Sequence, residues 1–375
     1  MLETLRNIYL NSFFYDKKIS KPFNGSFQYK PGIHLLSSII KIQTKKINIS
    51  EFTLENVWTN ENLNSKQFKK LNNFFWIFSL DLKSSSSDVQ KIIGNWIETN
   101  NKYNSKSWEF NTTSKRVISW LTNSKLTYDG GSKKYKNKFD FILSKQIQHL
   151  LNLLKISKSY NDKIIGIAAI IIFSLCYNKQ ERILSTCLDH LKKTLKESLD
   201  KHGFPKSRNI KQSTSYLKYL ILIREWFKES QISIPEFIDE NIFYLGQSYS
   251  FFWKNINFNP LFNGNNISNN QEFDQYLKRL GYSFKNENYE NSNYVSLNNK
   301  KINLFMDVGP SPEKNFSDKY QAGALSFEFV SNGRKIFTNS GFYHHKNKKL
   351  NQLSRSSAMH NTLVIDDNSS CKFEN

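Results

Sequence analysis

The sequence predicts a multidomain α+β protein in which an all-helical domain precedes an antiparallel β-sandwich. The first observation is a helical spacing of apolar residues from about residue 66 to 255. The second is an Asn-rich break after Trp253, "NINFNPLFNGNNISNN", and the third is the series of short alternating runs that follows it. We therefore divide the chain into an N-terminal extension (1–65), a helical domain (66–255) and a sandwich domain (256–375).

The helical domain is predicted from long stretches with apolar residues three and four apart, such as "FILSKQIQHLLNLLKI" and "TSYLKYLILIREWFKES". Short connections between helices of this length make neighbours antiparallel, so the domain is a bundle or a closed toroid of helical hairpins. The most apolar run, Ile164 to Asn178, is shorter than the roughly twenty residues that cross a bilayer. It is predicted to be a buried core helix.

The sandwich domain is predicted from six short runs: "GYSFKN", "NYVSLN", "INLFMDV", "ALSFEFV", "KIFTNS" and "NTLVIDD". Between the fourth and fifth runs, Asn332 and Gly333 supply the positive φ angles that a tight hairpin turn requires. About six strands are few for two sheets and would leave unpaired edges. We therefore expect residues beyond Asn375 to complete the sandwich.

The chain is strongly basic, with 53 Lys and Arg against 32 Asp and Glu, a net charge of +21. Such a charge favours a polyanionic partner, namely nucleic acid, acidic polysaccharide or anionic lipid, although a general compositional drift explains it equally well. The sequence contains no compact basic block, zinc-finger, RNP or P-loop pattern, so we do not expect a nucleic-acid partner. Cys176, Cys187 and Cys371 suggest neither a disulfide framework nor a cysteine metal site.

Several motifs resemble the heparinase II/III-like polysaccharide lyases. In the second half these are "DVGP", "AGALSFEF", "TNSGFY" and "SRSSAMHNTLVIDD", and in the first half "WEFNTTSKRVISWL" and "DKHGFPKSRN". The resemblance implies an (α/α) toroid stacked on an antiparallel β-sandwich, with an acidic, uronate-containing polysaccharide bound between them and cleaved by β-elimination. It also implies the periplasm or cell envelope. No signal peptide is visible in "MLETLRNIYLNSFFYDKK", so the cytoplasm is the alternative.

The residues that the resemblance assigns to a zinc site are mostly replaced. Lytic members of the family carry a His-x-His-Ala-Asp segment where this chain has "KYQAGALSFE". Lys319 thus takes the place of the catalytic His and Gln321 that of a zinc-binding His. Asn339 replaces a second ligand, an Asp, and only His360 remains. Since an amide is a poor zinc ligand, we expect no metal and no other cofactor.

The resemblance also gives seven candidate site residues. The catalytic candidates are Lys319, Tyr343 and His360, and the substrate-binding candidates are Asn161, His202, Arg208 and Arg355. Lys319 could act as the base if burial or positive neighbours favoured its neutral amine, and Tyr343 could act as the acid. Arg208 and Arg355 suit a uronate carboxylate. The alternatives are solvated positions for Tyr343 and Arg355 and a structural hydrogen bond for His360.

Two functions are compatible with this pattern. The first is a polysaccharide lyase that cleaves an acidic, uronate-containing polymer by β-elimination with substitute catalytic residues. The second is a non-catalytic polysaccharide-binding or envelope-glycan accessory protein, which the replacements at Lys319, Gln321 and Asn339 favour. A nucleic-acid binder driven by net charge is a third possibility, for which salt-dependent affinity without sequence preference is expected.

Overall fold

A computed structural model describes residues 2–37, 58, 63–80, 85–253, 260–266, 270–299, 301–343 and 347–373. Backbone contacts divide the chain into two compact units. Unit 1 consists of Met1–Thr194 and Leu222–Ile234, and unit 2 consists of Leu195–Ile221 and Pro235–Asn375. The last part of the sequence-predicted helical domain therefore groups with the strands.

Helices account for most of the described residues. They are α1 (Leu2–Leu10), α2 (Phe13–Ile19), α3 (Ile33–Ser37), α4 (Ser65–Asn72), α5 (Ser86–Thr99), α6 (Phe110–Thr122), α7 (Ser124–Thr127), α8 (Lys133–Leu154), α9 (Tyr160–Cys176), α10 (Glu181–Ser198), α11 (Ile210–Glu229), α12 (Glu236–Trp253), α13 (Gln271–Arg279) and α14 (Lys348–Arg355). Several begin at polar caps, for example α8 at Ser132 and α9 at Ser159, whose hydroxyls accept a backbone N–H of the first turn. The prediction of helices between residues 66 and 255 is confirmed.

The core of unit 1 forms around α6 and α9. Every residue of α9 from Ile164 to Cys176 is buried, which confirms the predicted core helix. Arg116 on α6 is also fully buried. Its guanidinium lies 4.1 Å from the ring centroid of Trp96 and donates to the carbonyls of Asn72 and Ser107, both at 2.9 Å. Among the described residues, no helix is long and apolar enough to cross a membrane.

In the described part of unit 2, five strands form an antiparallel sheet with the order β1-β2-β3-β4-β5. Its strands are β1 (Glu290–Asn291), β2 (Tyr294–Asn298), β3 (Ile302–Asp307), β4 (Phe327–Ser331) and β5 (Arg334–Phe337). β4 and β5 are joined at Asn332 and Gly333, whose φ angles are 47° and 74°, so the predicted hairpin turn is confirmed. An α+β architecture with an antiparallel sheet is therefore present.

Two of the six predicted strands do not form, and five helices outside residues 66–255 were not predicted. "GYSFKN" has no regular structure, and "NTLVIDD" forms only an isolated bridge between Ile365 and Asn368. Asp366 and Asp367 have φ angles of 50° and 55°, which turn the chain back before a strand can extend. The unpredicted helices are α1, α2 and α3 before the predicted helical domain and α13 and α14 after it.

The two faces of the sheet differ in burial. On one face, Tyr294, Phe305 and Val330 are buried in a cluster that also contains Phe204 and Phe252. The opposite face is apolar but only partly covered. It consists of Val295, Leu297, Leu304, Met306, Phe327, Phe329 and Phe337, which the strand register places side by side.

Candidate functional site

Arg208 lies at the centre of a buried polar network in unit 2. It has a φ angle of 59°, in the left-handed region that a non-glycine residue rarely adopts. Its Nη2 lies 2.6 Å from Oδ1 of Asp307, and its Nη1 donates to the carbonyl of Pro310 at 3.0 Å. Burial opposes the charge of Arg208, but Tyr294 and Asp307 outweigh it and raise the pKa of the guanidinium.

The partners of Arg208 are bonded to one another. Asn263 donates from Nδ2 to Asp307 and to the Tyr294 hydroxyl, both at 2.7 Å, and that hydroxyl donates to the Arg208 carbonyl, also at 2.7 Å. The side chain of Arg208 is 7% exposed. The charge of Arg208 is thus paired with Asp307 inside unit 2, whereas the sequence predicts a substrate carboxylate as its partner.

Arg355, at the end of α14, also bonds within unit 2. Its Nε donates to the Tyr320 carbonyl at 2.8 Å, and its Nη2 donates to the Ser317 carbonyl at 2.9 Å. Its guanidinium lies 3.9 Å from the ring centroid of Phe373. Arg355 therefore holds the backbone on both sides of Lys319, whereas we predicted that it binds a substrate carboxylate.

Gln321 connects three backbone segments at the position that the resemblance assigns to a zinc-binding His. Its Oε1 accepts from the Gly264 amide at 3.1 Å, and its Nε2 donates to the carbonyls of Gly341 (3.2 Å) and Ser354 (2.8 Å). The side chain is buried. Both N–H groups and the carbonyl oxygen of the amide thus bond to the backbone, and the amide cross-links these segments directly.

The residues around Gln321 do not fit a zinc ion. Asn339 is buried, and its Oδ1 accepts from the Asn361 amide at 2.9 Å. Burial lowers the pKa of His360 to about 4, and its Nε2 is buried without a partner in the described part of the chain. Across the described residues, no three His, Cys, Asp or Glu side chains are grouped as metal ligands would be. One imidazole beside two amides is a weak donor set for zinc.

Three other predicted residues occupy separate positions. Tyr343 is 62% exposed, and its carbonyl accepts from the Ser354 hydroxyl at 3.4 Å. His202 is exposed in the turn after α10, where its amide donates to Asp200. Asn161 lies in the first turn of α9, in unit 1.

Lys319 belongs to a basic cluster that the sequence did not reveal. We define the basic cluster as Asn209, Lys211, Gly264 and Lys319. Gly264 has a φ angle of 81°, and a Cβ atom placed on it would collide with Asn209 Nδ2 and lie 2.8 Å from the Cβ of Lys319. Lys211 and Lys319 are both exposed. Partial burial, followed by the charge on Lys319, lowers the pKa of Lys211.

The cluster is held together by local structure. Asn209 caps α11 by accepting the Gln212 amide at Oδ1 (3.2 Å), which leaves its Nδ2 directed toward Gly264. Lys211, in the first turn of α11, donates to Oδ1 of Asn266 at 3.0 Å. The cluster therefore presents two ammonium groups and an amide donor, an arrangement suited to an anion.

Comparison with protein families bears on the C-terminal part of the chain. Residues 284–375 match the family model "heparinase II/III-like, C-terminal". The predicted resemblance to this family is confirmed over these residues. No curated protein matches the chain by sequence.

Solved structures similar to this chain include a heparinase III, with a TM-score of 0.66 and 14% identity over 96% of this chain and 63% of that chain. Another is the heparan sulfate lyase HepC from Pedobacter heparinus, with a TM-score of 0.58 and 14% identity over 83% of this chain and 56% of that chain. At this identity the likeness shows the fold alone. The chain spans less than two thirds of the length of either structure.

Proposed function

We propose that the chain binds an acidic, uronate-containing polysaccharide at the basic cluster of unit 2. The observation that carries this proposal is the proximity of Lys211 and Lys319. The two lysines are close enough that the charge on Lys319 lowers the pKa of Lys211. Two like charges repel, and an anion bound between them relieves the repulsion. The similarity to heparinase III and to a heparan sulfate lyase supports a polymer of this class.

Asn209 adds direction to the two charges. Its Nδ2 donates to no acceptor in the part of the chain that the structure describes. Its Oδ1 accepts the Gln212 amide, and this hydrogen bond fixes the orientation of the side-chain amide. A carboxylate oxygen or a sulfate oxygen can accept from this N–H while the ammonium groups neutralise the charge. The cluster thus favours an anionic group on a sugar over an uncharged sugar.

Binding can be measured by titrating the protein with heparan sulfate, hyaluronan, chondroitin, alginate and polygalacturonate. Lys211→Ala and Lys319→Ala are each expected to raise the Kd for the preferred glycan about ten-fold, as loss of a charge-assisted hydrogen bond implies. Lys301→Ala, which removes an exposed charge between β2 and β3, is the matched control and should leave the Kd nearly unchanged. Equal losses for all three variants would contradict a defined site.

Cleavage by β-elimination is the second candidate function, and the lowered pKa of Lys211 favours it. In this reaction the neutral amine of Lys211 takes the proton from C5, and the C5–H electron pair forms the C4–C5 double bond. The C4–O4 bond then breaks, and we assign the proton that the leaving oxygen takes to Tyr343 from the family resemblance alone. The ammonium group of Lys319 is assigned to the uronate carboxylate. This division assigns the base role, predicted for Lys319, to its neighbour.

Cleavage can be followed by the ultraviolet absorbance of the unsaturated uronate product. Lys211→Arg keeps the positive charge but cannot act as a base, so it should retain binding and abolish the absorbance increase. An absorbance increase that survives in Lys211→Arg would contradict the base role. If the unmodified protein binds a glycan without any increase, the chain is a binding protein rather than a lyase.

The proposed site uses no metal. We infer this from the amides of Gln321 and Asn339, which occupy two of the three positions that the family resemblance gives to zinc ligands and which accept backbone N–H groups. Atomic emission of the purified protein tests the inference. Stoichiometric zinc that is lost in His360→Ala would contradict it.

The likeness to heparinase III also supports a finer architecture. We propose that the helices close into an (α/α) toroid and that the sheet is one layer of a β-sandwich. The partly covered apolar face, which includes Leu304, Phe327 and Phe329, supports the second layer, because a sheet normally buries an apolar face against another layer. An experimental structure with this face in contact with water would contradict the sandwich.

A further inference from the structure

Helices α1 and α2 of unit 1 expose a group of large apolar side chains. Phe13 and Phe14 are 75% and 76% exposed, and Leu5 and Ile8 are 58% and 64% exposed. We define these four residues as the apolar patch. Single exposed apolar residues are common on protein surfaces, but two neighbouring rings, with the centroids of Phe13 and Phe14 6.3 Å apart, together with further exposed apolar residues on the preceding helix mark a contact with another apolar phase or partner.

The exposure of Phe13 and Phe14 is imposed by the two residues that follow them. Tyr15 is buried, and its hydroxyl lies 2.7 Å from Nδ1 of His149. Asp16 accepts at 2.7 Å from Nζ of Lys145, whose side chain is 4% exposed. Because α2 is fixed at Tyr15 and Asp16, Phe13 and Phe14 cannot turn inward without breaking both contacts.

Each exposed ring is followed by a cation one helical turn later. Lys17 and Lys18 are exposed and stand four residues after Phe13 and Phe14, so each pair shares one side of α2. Aromatic rings can enter the boundary between headgroups and acyl chains while neighbouring lysines contact lipid phosphates. The net charge of +21 adds a general attraction to an anionic surface.

A second exposed aromatic pair has the opposite electrostatic setting. Phe243 and Tyr244 on α12 are 54% and 40% exposed. Asp239 and Glu240, which are exposed, stand one turn before them. An anionic surface would repel this pair, so exposed aromatic area alone does not distinguish the two positions.

We propose that the apolar patch and the two lysines of α2, Lys17 and Lys18, dock the protein on the surface of an anionic lipid bilayer. The contact is interfacial: the rings of Phe13 and Phe14 insert at the level of the headgroups, and Lys17 and Lys18 pair with phosphates. This contact is independent of the proposed glycan site, since its residues belong to unit 1 and the basic cluster belongs to unit 2.

The test is co-sedimentation of the full chain with vesicles of phosphatidylcholine alone or mixed with phosphatidylglycerol. We expect binding only to the mixed vesicles. The double substitution Phe13→Ser with Phe14→Ser should lower the partition coefficient about ten-fold or more, because it removes two inserted rings. The matched control, Phe243→Ser with Tyr244→Ser, should bind as the unmodified protein does.

A second variant separates insertion from net charge. Lys17→Gln with Lys18→Gln removes two charges from exposed side chains and should weaken binding to mixed vesicles several-fold. Equal binding by the Phe13/Phe14 variant and the unmodified protein would overturn the proposal and leave charge alone as the cause. Light scattering that shows a dimer dissolved by the Phe13/Phe14 substitutions would also overturn it, because the occupant would then be a second copy.

Discussion

The hydroxyl of Tyr15 and Nδ1 of His149 lie 2.7 Å apart in the interior of unit 1. On the other side of the ring, Nε2 lies 2.9 Å from the carbonyl of Trp108. A carbonyl only accepts, so Nε2 carries the proton and Nδ1 accepts from Tyr15. The ring is therefore neutral, in agreement with the burial that lowers the pKa of His149 to about 4.

The burial of His149 predicts a loss of stability in mild acid. The folded-state pKa of about 4 lies below the ordinary value of 6.5, so the unfolded chain takes up the proton first as pH falls. The contribution of His149 to the free energy of unfolding is complete above pH 6.5 and is lost as pH falls from 6.5 to about 4. The loss amounts to about 2 kcal/mol at pH 5. Urea unfolding at pH 7 and pH 5 measures the difference.

Two variants isolate His149 from other titrating groups. His149→Phe should remove about 2 kcal/mol of the pH dependence, although it lowers stability at both pH values. Tyr15→Phe loses a hydrogen bond but keeps His149 buried, so it should lower stability by about 1 kcal/mol with the pH dependence unchanged. The same pH dependence in His149→Phe as in the unmodified protein would contradict the assignment.

The buried pair of Arg208 and Asp307 predicts a strong dependence on both partners. Arg208→Met leaves Asp307 buried without its cation and should lower the free energy of unfolding by about 3–5 kcal/mol. Asp307→Leu should cost a similar amount. In a double-mutant cycle followed by chemical unfolding, the combined variant should be clearly more stable than the sum of the two losses implies. Additive losses would show that the two groups do not interact.

Gly264 predicts a coupling between backbone geometry and glycan affinity. Gly264→Ala adds a methyl group in conflict with Asn209 and Lys319 and also strains the backbone at a φ of 81°. We expect lower stability and a several-fold weaker glycan affinity. Gly281→Ala is the matched control, since Gly281 has a φ of 80° and open space around it. Calorimetric titration and thermal melting of both variants separate displacement of the cluster from backbone strain.

The amide of Gln321 predicts a large penalty for an isosteric charge. In Gln321→Glu, the carboxylate would face the carbonyls of Gly341 and Ser354, which accept from Nε2 in the native side chain. The carboxylate oxygen and the two carbonyl oxygens can only accept hydrogen bonds, so no donor would remain among them. The free energy of unfolding should therefore fall by about 2–4 kcal/mol at pH 7. Protonation of the new carboxyl should restore part of this loss, so the deficit measured by urea unfolding should shrink at pH 5. An undiminished deficit would contradict the hydrogen-bond assignment.

The sequence pattern was sufficient to predict elements whose conformation depends on nearby residues only. The α9 core helix follows from its apolar composition and length, and the β4–β5 turn follows from the backbone preferences of Asn332 and Gly333. The expected strand at Leu363 to Ile365 failed because alternation says nothing about a partner, and all three side chains are exposed. A strand needs a neighbour, and the neighbour lies elsewhere in the sequence.

The candidate site was predictable only in part for the same reason. Lys319 was found from its position in a motif, but its neighbour Lys211 stands in a helical stretch where a lysine is ordinary. Arg208 was predicted to meet a substrate carboxylate, and the carboxylate it meets is Asp307 of the same chain. Pairings across such separations depend on tertiary packing, which the spacing of residues does not encode.

The sequential order of the five strands has a consequence for folding. Each strand pairs with its neighbour in the chain, so the sheet can form by successive pairing of β1 to β5, with one long connection, residues 308–326, between β3 and β4. The face that contains Leu304, Phe327 and Phe329 is therefore completed early, while its apolar side chains are still open to water. Until that face is covered, newly made chains can adhere to one another there, and a chaperone that shields apolar sheet surfaces would raise the yield of native protein.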